Sequence, residues 1–295
     1  MRQIFIDVLY KEAKENKNFV LMVGDLGFSV IEKFQKKYPM RFFNAGVAEQ
    51  NMTGMASGLA SEGCQVFTYS IANFNTFRCA EQIRNDVDYH NFPVTIVTVG
   101  GGLAYGSMGY SHHALQDYAL LRTFPNISIY SPGDNFELKE CLRQIFRDKM
   151  PSYLRLGKNN KNEIHKKNVK FMPGHWVEVS KKKSTSKIRK CILSTGSVLE
   201  DALKMQESTY REYDVYSLPI WGMKFKSLQK KFISKWDEII TLEDHLEDGG
   251  FGSYMLEASS LEGLSNKIKI KALDKKVCGM VGSQEQLKKY SKFTS

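Results

Sequence analysis

Three segments of the chain carry the residue types that could do chemistry. The segment RFFNAGVAEQN (41–51) holds one glutamate, Glu49, at the start of a predicted helix that follows a predicted strand. An acid there is favourable with the helix dipole, which by itself is a sufficient structural reason for it. The functional alternative is a carboxyl group whose proton affinity is set by burial and that takes part in proton transfer.

The other two segments are FNTFRCAEQIRNDV (74–87), which is rich in aromatic and charged residues, and GGGLAYGSMGYSHHALQD (100–117), which holds two adjacent histidines. Several better-known motifs are missing from the sequence. There is no GxxxxGK[ST] phosphate loop, no GxSxG elbow and no HExxH motif, and the GFG at 250–252 lacks the third glycine of a dinucleotide fingerprint. The six histidines are scattered, so we expect no metal site.

The bulk properties are those of an ordinary globular protein. A chain of 295 residues with 42% hydrophobic and 25% charged residues predicts about two domains. The first residues contain no apolar signal core, and no window resembles a membrane span, so we expect a cytoplasmic protein without membrane contact. Five cysteines without metal spacing predict free thiols in a reducing compartment.

Nearly all of the net charge of +10 comes from one segment. Residues 158–190 contain ten lysines and one arginine against two glutamates. We interpret this segment mainly as a solvated linker. Steering of an anionic substrate or binding of a polyanion is the alternative, and nucleic acid is an improbable partner because no basic motif with interleaved aromatic residues is present.

The elements that must position these residues alternate along the chain. In the first part, short apolar runs predict strands at 19–24, 41–46, 65–70, 93–99, 126–130 and 152–156, and the stretches between them, including 47–62 and 76–88, predict helices. After the basic segment the pattern restarts, with strands at 191–195, 214–218, 238–242 and 267–272. This alternation predicts an α/β fold of two three-layer α/β/α domains with mostly parallel sheets. We predict domains at 1–165 and 186–295, joined by a basic linker at 166–185.

Taken in order, the three segments resemble the pyrimidine-binding domain of transketolase and of 1-deoxyxylulose-5-phosphate synthase. The segments GDLG (24–27), PSYLRLG (151–157) and TLEDH with GGFGS (241–253) extend the resemblance over essentially the whole chain. Each motif is weak alone, but six in register are specific. The resemblance implies a pyrimidine-binding domain followed by a transketolase C-terminal domain, with thiamine diphosphate as cofactor.

The resemblance also implies a cofactor pocket. Glu49 matches the family glutamate that bonds the pyrimidine ring nitrogen of thiamine diphosphate and thereby favours the tautomer that deprotonates the thiazolium ring. Phe74 matches the aromatic residue that stacks on the aminopyrimidine, and Ile71 and Phe77 match its two neighbours in the pocket wall. Ile71 stands where an aromatic residue is usual, which changes that wall.

Substrate-binding positions are implied in the same way. His112 matches a histidine near the thiazolium that contacts substrate oxygens, and it could stabilise an oxyanion or shuttle protons. His113 stands where the family has glutamine, and a structural ring is the alternative. Met108 replaces an aspartate that reads a substrate hydroxyl, and Gly100 replaces a histidine that helps to bind a sugar phosphate. These two departures predict a modified or nucleotide-activated sugar as acceptor.

A phosphate contact and a missing domain complete these implications. Lys158 matches a phosphate-binding arginine, and Arg155 could assist it. The family's GlyAspGly motif, which holds Mg²⁺ and the cofactor's diphosphate, is missing from the sequence. We therefore expect a separate N-terminal-half transketolase subunit as partner, with Mg²⁺ bound there, in an α₂β₂ assembly that acts on a sugar or sugar phosphate.

The leading hypothesis is a split transketolase subunit that transfers a two-carbon ketol unit. Three alternatives stay open at this point. The first is the β subunit of a 2-oxo-acid dehydrogenase E1 component, which has the same fold and glutamate. The second is a non-catalytic scaffold subunit that kept the fold, and the third is a polyanion-binding protein acting through the 158–190 lysines.

Overall fold

The computed structural model describes residues 1–157, 163–165, 169, 171–182, 187–260, 263–291 and 293. Within these residues the chain forms two mostly parallel β-sheets accompanied by helices, which confirms the predicted fold class. The described strands, in chain order, are β1 (Phe19–Val23), β2 (Phe42–Asn44), β3 (Gln65–Ile71), β4 (Val94–Val99), β5 (Ser128–Tyr130), β6 (Ser152–Leu156), β7 (Val177–Ser180), β8 (Lys190–Ser194), β9 (Asp214–Ser217), β10 (Ile220–Trp221), β11 (Glu238–Leu246) and β12 (Ile268–Leu273).

The described α-helices lie between these strands. They are α1 (Arg2–Glu15), α2 (Glu32–Lys37), α3 (Glu49–Ser61), α4 (Ala80–Gln82), α5 (Asp117–Leu121), α6 (Asn135–Asp148), α7 (Leu199–Glu207), α8 (Lys226–Ile233), α9 (Phe251–Ser260) and α10 (Gln284–Tyr290). The helix predicted at 76–88 is present as one uninterrupted helical segment over 77–88. Its hydrogen bonding changes along the segment, since a 3₁₀ turn (Phe77–Cys79) precedes α4 and a π-helical turn (Ile83–Asp88) follows it. In the described part of the chain, no helix is both long and apolar enough to cross a bilayer.

The first sheet has seven strands in the spatial order β10-β5-β6-β4-β3-β1-β2. All neighbours in it are parallel except β10, which runs antiparallel to β5. Every residue of β1, β4 and β6 is buried. Strand β1 is a continuous apolar run, and more than half of the residues of β4 and β6 are apolar or aromatic, because helices cover both faces of a parallel sheet.

The second sheet has five strands in the order β12-β11-β8-β9-β7. Strand β7 runs antiparallel to β9, and the other pairs are parallel. Strand β7 lies inside the segment that the sequence analysis read as a linker, so part of 166–185 belongs to this sheet. The domain limits at 165 and 186 stay a prediction.

The two sheets share one aromatic contact region. Trp221, at the end of β10, is fully buried and donates from Nε1 to the Thr195 hydroxyl over 3.0 Å. Its ring meets Tyr118 from the first half at 5.1 Å and Tyr254 from the second half at 5.0 Å between centroids. The second half of the chain therefore contributes both a strand and a core side chain to the first sheet.

Candidate active site

Several of the positions singled out from the sequence lie together at the carboxyl ends of the strands of the first sheet. Gly24 follows β1, Ile71 ends β3 and Gly100 follows β4, and these three strands are neighbours. Glu49 begins α3, the helix that follows β2 at the end of the sheet. In open α/β sheets the carboxyl ends of the strands form the edge where ligands bind.

Glu49 is almost completely enclosed, since only 1% of its surface is exposed. Its Oε1 accepts a hydrogen bond from the Ser70 hydroxyl over 3.0 Å, and its Oε2 pairs with Nη1 of Arg78 over 2.6 Å. A Cβ at Gly24 would lie 3.4 Å from Oε1 and 3.3 Å from the Ser70 oxygen, so the backbone that follows β1 runs directly beside this buried carboxylate.

Three side chains, Arg78, Phe74 and His112, form a row of successive contacts that begins at this carboxylate. The Arg78 guanidinium lies over the Phe74 ring, with 4.6 Å from Cζ to the centroid. The rings of Phe74 and His112 form a T-shaped contact with a centroid distance of 5.2 Å. The structure thus brings Glu49, Phe74 and His112 together, and it adds Arg78, which the sequence analysis did not single out.

The loop that carries His112 is fixed by an amide from the neighbouring segment. Asn73 donates from Nδ2 to the backbone oxygens of Ser111, over 3.1 Å, and of His113, over 2.8 Å. His112 is half-buried, and its Nδ1 lies 2.9 Å from the Ser111 hydroxyl. His113 is fully buried, with Nε2 3.3 Å from the Gly106 oxygen, so its ring faces the interior of the loop.

The two departures from the family pattern behave differently. Met108 is 58% exposed and presents an apolar side chain at the surface of the loop. Gly100 is buried with a φ of +87°, and a Cβ built on it would overlap the ring of Tyr105. The Tyr105 ring therefore fills the space that a larger residue at position 100 would need. Ile71 is half-buried, and Phe77 is 45% exposed at the outer side of the pocket.

Arg155 lies in a different environment from the other predicted substrate contacts. It is 3% exposed, donates to Asp117 from Nε over 2.7 Å and to the Ala114 oxygen over 2.8 Å, and pairs with Asp244. Burial alone would raise the pKa of Asp244, but the Arg155 guanidinium holds it below its usual value. Arg155 therefore links the two halves of the chain, since Asp117 and Ala114 belong to the first half and Asp244 to the second. Because these residues engage its N–H groups, Arg155 is not available to bind a substrate phosphate at the carboxyl ends of the strands. Lys158 lies outside the described residues.

The residues at the sheet edge fit an aminopyrimidine ring. Each oxygen of the Glu49 carboxylate accepts one hydrogen bond from the described side chains, and a carboxylate oxygen can accept two. The Phe74 ring stands beside it as a stacking surface. Among the described residues no group of three or more metal-binding side chains is assembled, and the assignment of Mg²⁺ to a partner stays a prediction.

The chain belongs to the family described as the transketolase pyrimidine-binding domain, which matches residues 1–163. It is 33% identical over 293 residues to a provisionally named transketolase C-terminal section of Methanocaldococcus jannaschii, covering 98% of this chain and 91% of that protein. It is also 30% identical to one of the subunits of the apulose-4-phosphate transketolase of Phocaeicola vulgatus, covering 88% and 83% of the two chains.

A solved structure agrees with the sequence relatives. The structure titled split gene transketolase, inactive beta4 tetramer, superposes with a TM-score of 0.84 at 26% identity and covers 99% of this chain and 93% of that one. The resemblance inferred from the six motifs is therefore confirmed. The roles of the individual residues in the site stay proposals.

Three residues of the site were missed by sequence reasoning: Ser70, Arg78 and Tyr105. Arg78 follows Phe74 by four residues, a spacing that would bring both side chains onto one face of a helical turn. That signal was available within the segment 74–87. Ser70 and Tyr105 carried no comparable signal, because their roles depend on contacts with other segments.

Proposed function

We propose that this chain is the pyrimidine-binding subunit of a two-chain, transketolase-type transferase that uses thiamine diphosphate to move a two-carbon ketol unit between sugars. The observation that carries the proposal is the enclosed Glu49 carboxylate with Phe74 and His112 beside it, at the carboxyl edge of a parallel sheet. When bound, the cofactor supplies the carbanion chemistry, and the protein supplies orientation and electrostatics.

Each residue has a defined task in this proposal. Glu49 bonds the pyrimidine ring nitrogen and shares a proton with it. Phe74 stacks on the ring and excludes water, and Ile71 and Phe77 form the rest of the pocket wall. His112, at the outer end of the row, donates a hydrogen bond to substrate oxygens.

The acceptor pocket differs from the one that the family pattern describes. Met108 offers no carboxylate to a hydroxyl, and the Tyr105 ring fills the space beside Gly100. A site that lacks the partner of a hydroxyl loses its preference for that hydroxyl. We propose a modified or nucleotide-activated sugar as acceptor. One relative of this chain is a subunit of a transketolase named for the sugar phosphate apulose 4-phosphate. Lys158 and the neighbouring lysines are proposed to attract the anionic part of such a substrate.

The diphosphate and Mg²⁺ are proposed to bind to a partner chain that carries the GlyAspGly motif, in an α₂β₂ assembly. The outer face of α3 supports a subunit contact. Added Cβ atoms at Gly54 and Gly58 would meet nothing within 4 Å, and Met55 between them is 41% exposed. The related chain whose title calls it an inactive beta4 tetramer is consistent with a subunit that assembles without its partner and then lacks activity.

Reconstitution tests the proposal. The chain is purified with a candidate partner that carries GlyAspGly, and the complex is assayed with ketose donors and a panel of aldose acceptors. Ketol transfer that requires both chains, Mg²⁺ and thiamine diphosphate is the expected result. Decarboxylation of a 2-oxo acid would instead favour the E1-type alternative, and cofactor binding without turnover of either kind would favour a scaffold.

A further inference from the structure

One side chain contacts both groups that the proposed function assigns to the cofactor's pyrimidine ring. The Arg78 guanidinium is paired with the Glu49 carboxylate at 2.6 Å and lies over the Phe74 ring at 4.6 Å. It therefore occupies the hydrogen-bonding position on the carboxylate and the stacking position on the ring at the same time.

The burial of Glu49 makes this arrangement consequential. Its oxygens could each accept one more hydrogen bond, but its side chain is only 1% exposed, so the cofactor's ring can reach the carboxylate only after one of its present neighbours has moved away. Of its two side-chain partners, Ser70 lies on strand β3 and is fully buried, whereas the Arg78 side chain is 42% exposed. Arg78 is thus the partner that can move into solvent without disturbing the sheet.

The chemistry of the two groups is matched. A guanidinium is planar, donates N–H groups to a carboxylate and stacks on aromatic faces. An aminopyrimidine is also planar and stacks on aromatic faces, and in the proposed function its ring nitrogen shares a proton with the same carboxylate. We propose that Arg78 closes the pyrimidine pocket in the cofactor-free chain and releases Glu49 when the cofactor's ring replaces it. This inference rests on the proposed function, because it names the residue that the cofactor must displace.

Removal of the Arg78 side chain should have two opposite effects, a loss of stability in the cofactor-free chain and a gain in affinity for the cofactor. In the cofactor-free chain, Arg78 compensates a buried charge, and its removal leaves that charge unpaired and lowers stability. In the presence of the cofactor, the same removal abolishes the competition for Glu49. The apparent affinity for a ligand decreases when a smaller fraction of the protein is open to it. A variant that lacks the Arg78 side chain is open more of the time and therefore binds the cofactor more tightly.

The experiment compares Arg78→Ala with Arg84→Ala, which removes an exposed arginine of the same segment. Differential scanning calorimetry gives the melting temperature of each free chain. Isothermal titration with thiamine diphosphate and Mg²⁺ gives the dissociation constant of each chain complexed with its partner. We expect Arg78→Ala to lower the melting temperature and to tighten cofactor binding by about three- to tenfold, while Arg84→Ala changes neither.

A second arm uses Glu49→Gln and the double variant Glu49→Gln/Arg78→Ala. If the pair exists in the cofactor-free chain, the losses in melting temperature are not additive, because either change alone breaks the same contact. The coupling should disappear when thiamine diphosphate saturates the complex.

Three results would overturn the inference. Unchanged or weaker cofactor binding by Arg78→Ala would mean that Arg78 is not displaced, while the proposed function stands. Additive losses in the cofactor-free chain would mean that the pair is not formed. A wild-type complex that binds no thiamine diphosphate at all would remove the proposed function together with the inference.

Discussion

Glu137 and His165 face each other in the interior, with 3.4 Å between Oε1 of the carboxyl and Nε2 of the imidazole. Both side chains are fully enclosed, and neither atom has a hydrogen-bond partner among the described residues. The other ring nitrogen of His165 lies 3.0 Å from Asp134, the residue that caps α6. Through this cluster His165, which follows β6 in the chain, is held against the first turn of α6.

The cluster predicts a pH-dependent stability. Burial raises the pKa of Glu137 to about 7. Burial would lower the pKa of His165, but the hydrogen bond to Asp134 and the charge of Glu137 raise it. The folded chain therefore holds more protons than the unfolded chain, and stability falls as the pH rises through the window between the unfolded and folded pKa values. For Glu137 this window runs from 4.5 to about 7.

Replacing Glu137 by glutamine should flatten this dependence by an amount on the order of 3 kcal/mol across the window. Urea unfolding at several pH values measures it. Glu140→Gln, which removes a carboxyl from the more exposed side of α6, is the matched control and should keep the wild-type slope. An unchanged slope in Glu137→Gln would show that this carboxyl is not the titrating group.

Glu49→Gln should abolish ketol transfer by the reconstituted complex and leave the fold intact. The amide keeps the size of the side chain but cannot share a proton with the pyrimidine ring. Turnover is measured beside the far-ultraviolet circular dichroism spectrum, with Glu81→Gln as a surface control. A loss of less than about tenfold, which is about 1.4 kcal/mol of barrier, would contradict the assignment.

The free chain should bind thiamine diphosphate only weakly. The pyrimidine ring alone has contacts here, and the diphosphate and Mg²⁺ site is assigned to the partner. Titration calorimetry on the purified chain with Mg²⁺ and cofactor measures the affinity. Micromolar binding without a partner would show that this chain contains a diphosphate site of its own.

Met108→Asp should change the ranking of acceptors in the complex. The new carboxylate stands on the exposed side of the histidine loop, and it would favour acceptors with a free hydroxyl in reach. Initial rates over a panel that includes ribose 5-phosphate give the ranking. Met40→Asp adds the same charge at another exposed methionine and should leave the order as it is. Position 108 does not determine acceptor preference if both variants rank the acceptors like wild type, or if ribose 5-phosphate is already the best acceptor of the wild-type complex.

Arg155→Met should destabilise the chain by about 3–5 kcal/mol, because Asp117 and Asp244 would be left as uncompensated buried charges. Chemical denaturation measures the loss, and Arg143→Met, at a side chain that is 72% exposed, controls for the loss of an arginine. A variant of normal stability with a raised KM for phosphorylated substrates would restore the hypothesis that Arg155 binds phosphate.

Sequence patterns predicted the interior of the fold well and its edges poorly. The runs that became β1, β3, β4 and β6 are buried on both faces, so more than half of the residues in each are apolar or aromatic and the runs stand out in the sequence. Strands β7 and β10 were missed. Strand β10 is two residues long, which is too short for a periodic signal. Strand β7 alternates between apolar and polar residues, but it does so over only four residues inside the lysine-rich segment, which was interpreted as a linker.

The site shows the same division. Glu49, Phe74 and His112 were predicted from short motifs, and the structure brings them into one row. Arg155 was assigned to the same site because it is close in sequence to Lys158. Its partners are 38 and 89 residues away, and only the packing of the two halves could reveal that its charge is used internally.

Strand β10 sets a limit on how the chain can be divided. A fragment ending near residue 165 would carry every parallel strand of the first sheet but would lose Ile220 and Trp221, which pair with β5. The outer backbone groups of β5 would then be open to any other strand, and uncovered edges of this kind promote aggregation. The family match ends at residue 163, but the unit that folds together extends at least to Trp221. A soluble pyrimidine-binding fragment would need a substitute for Ile220 and Trp221.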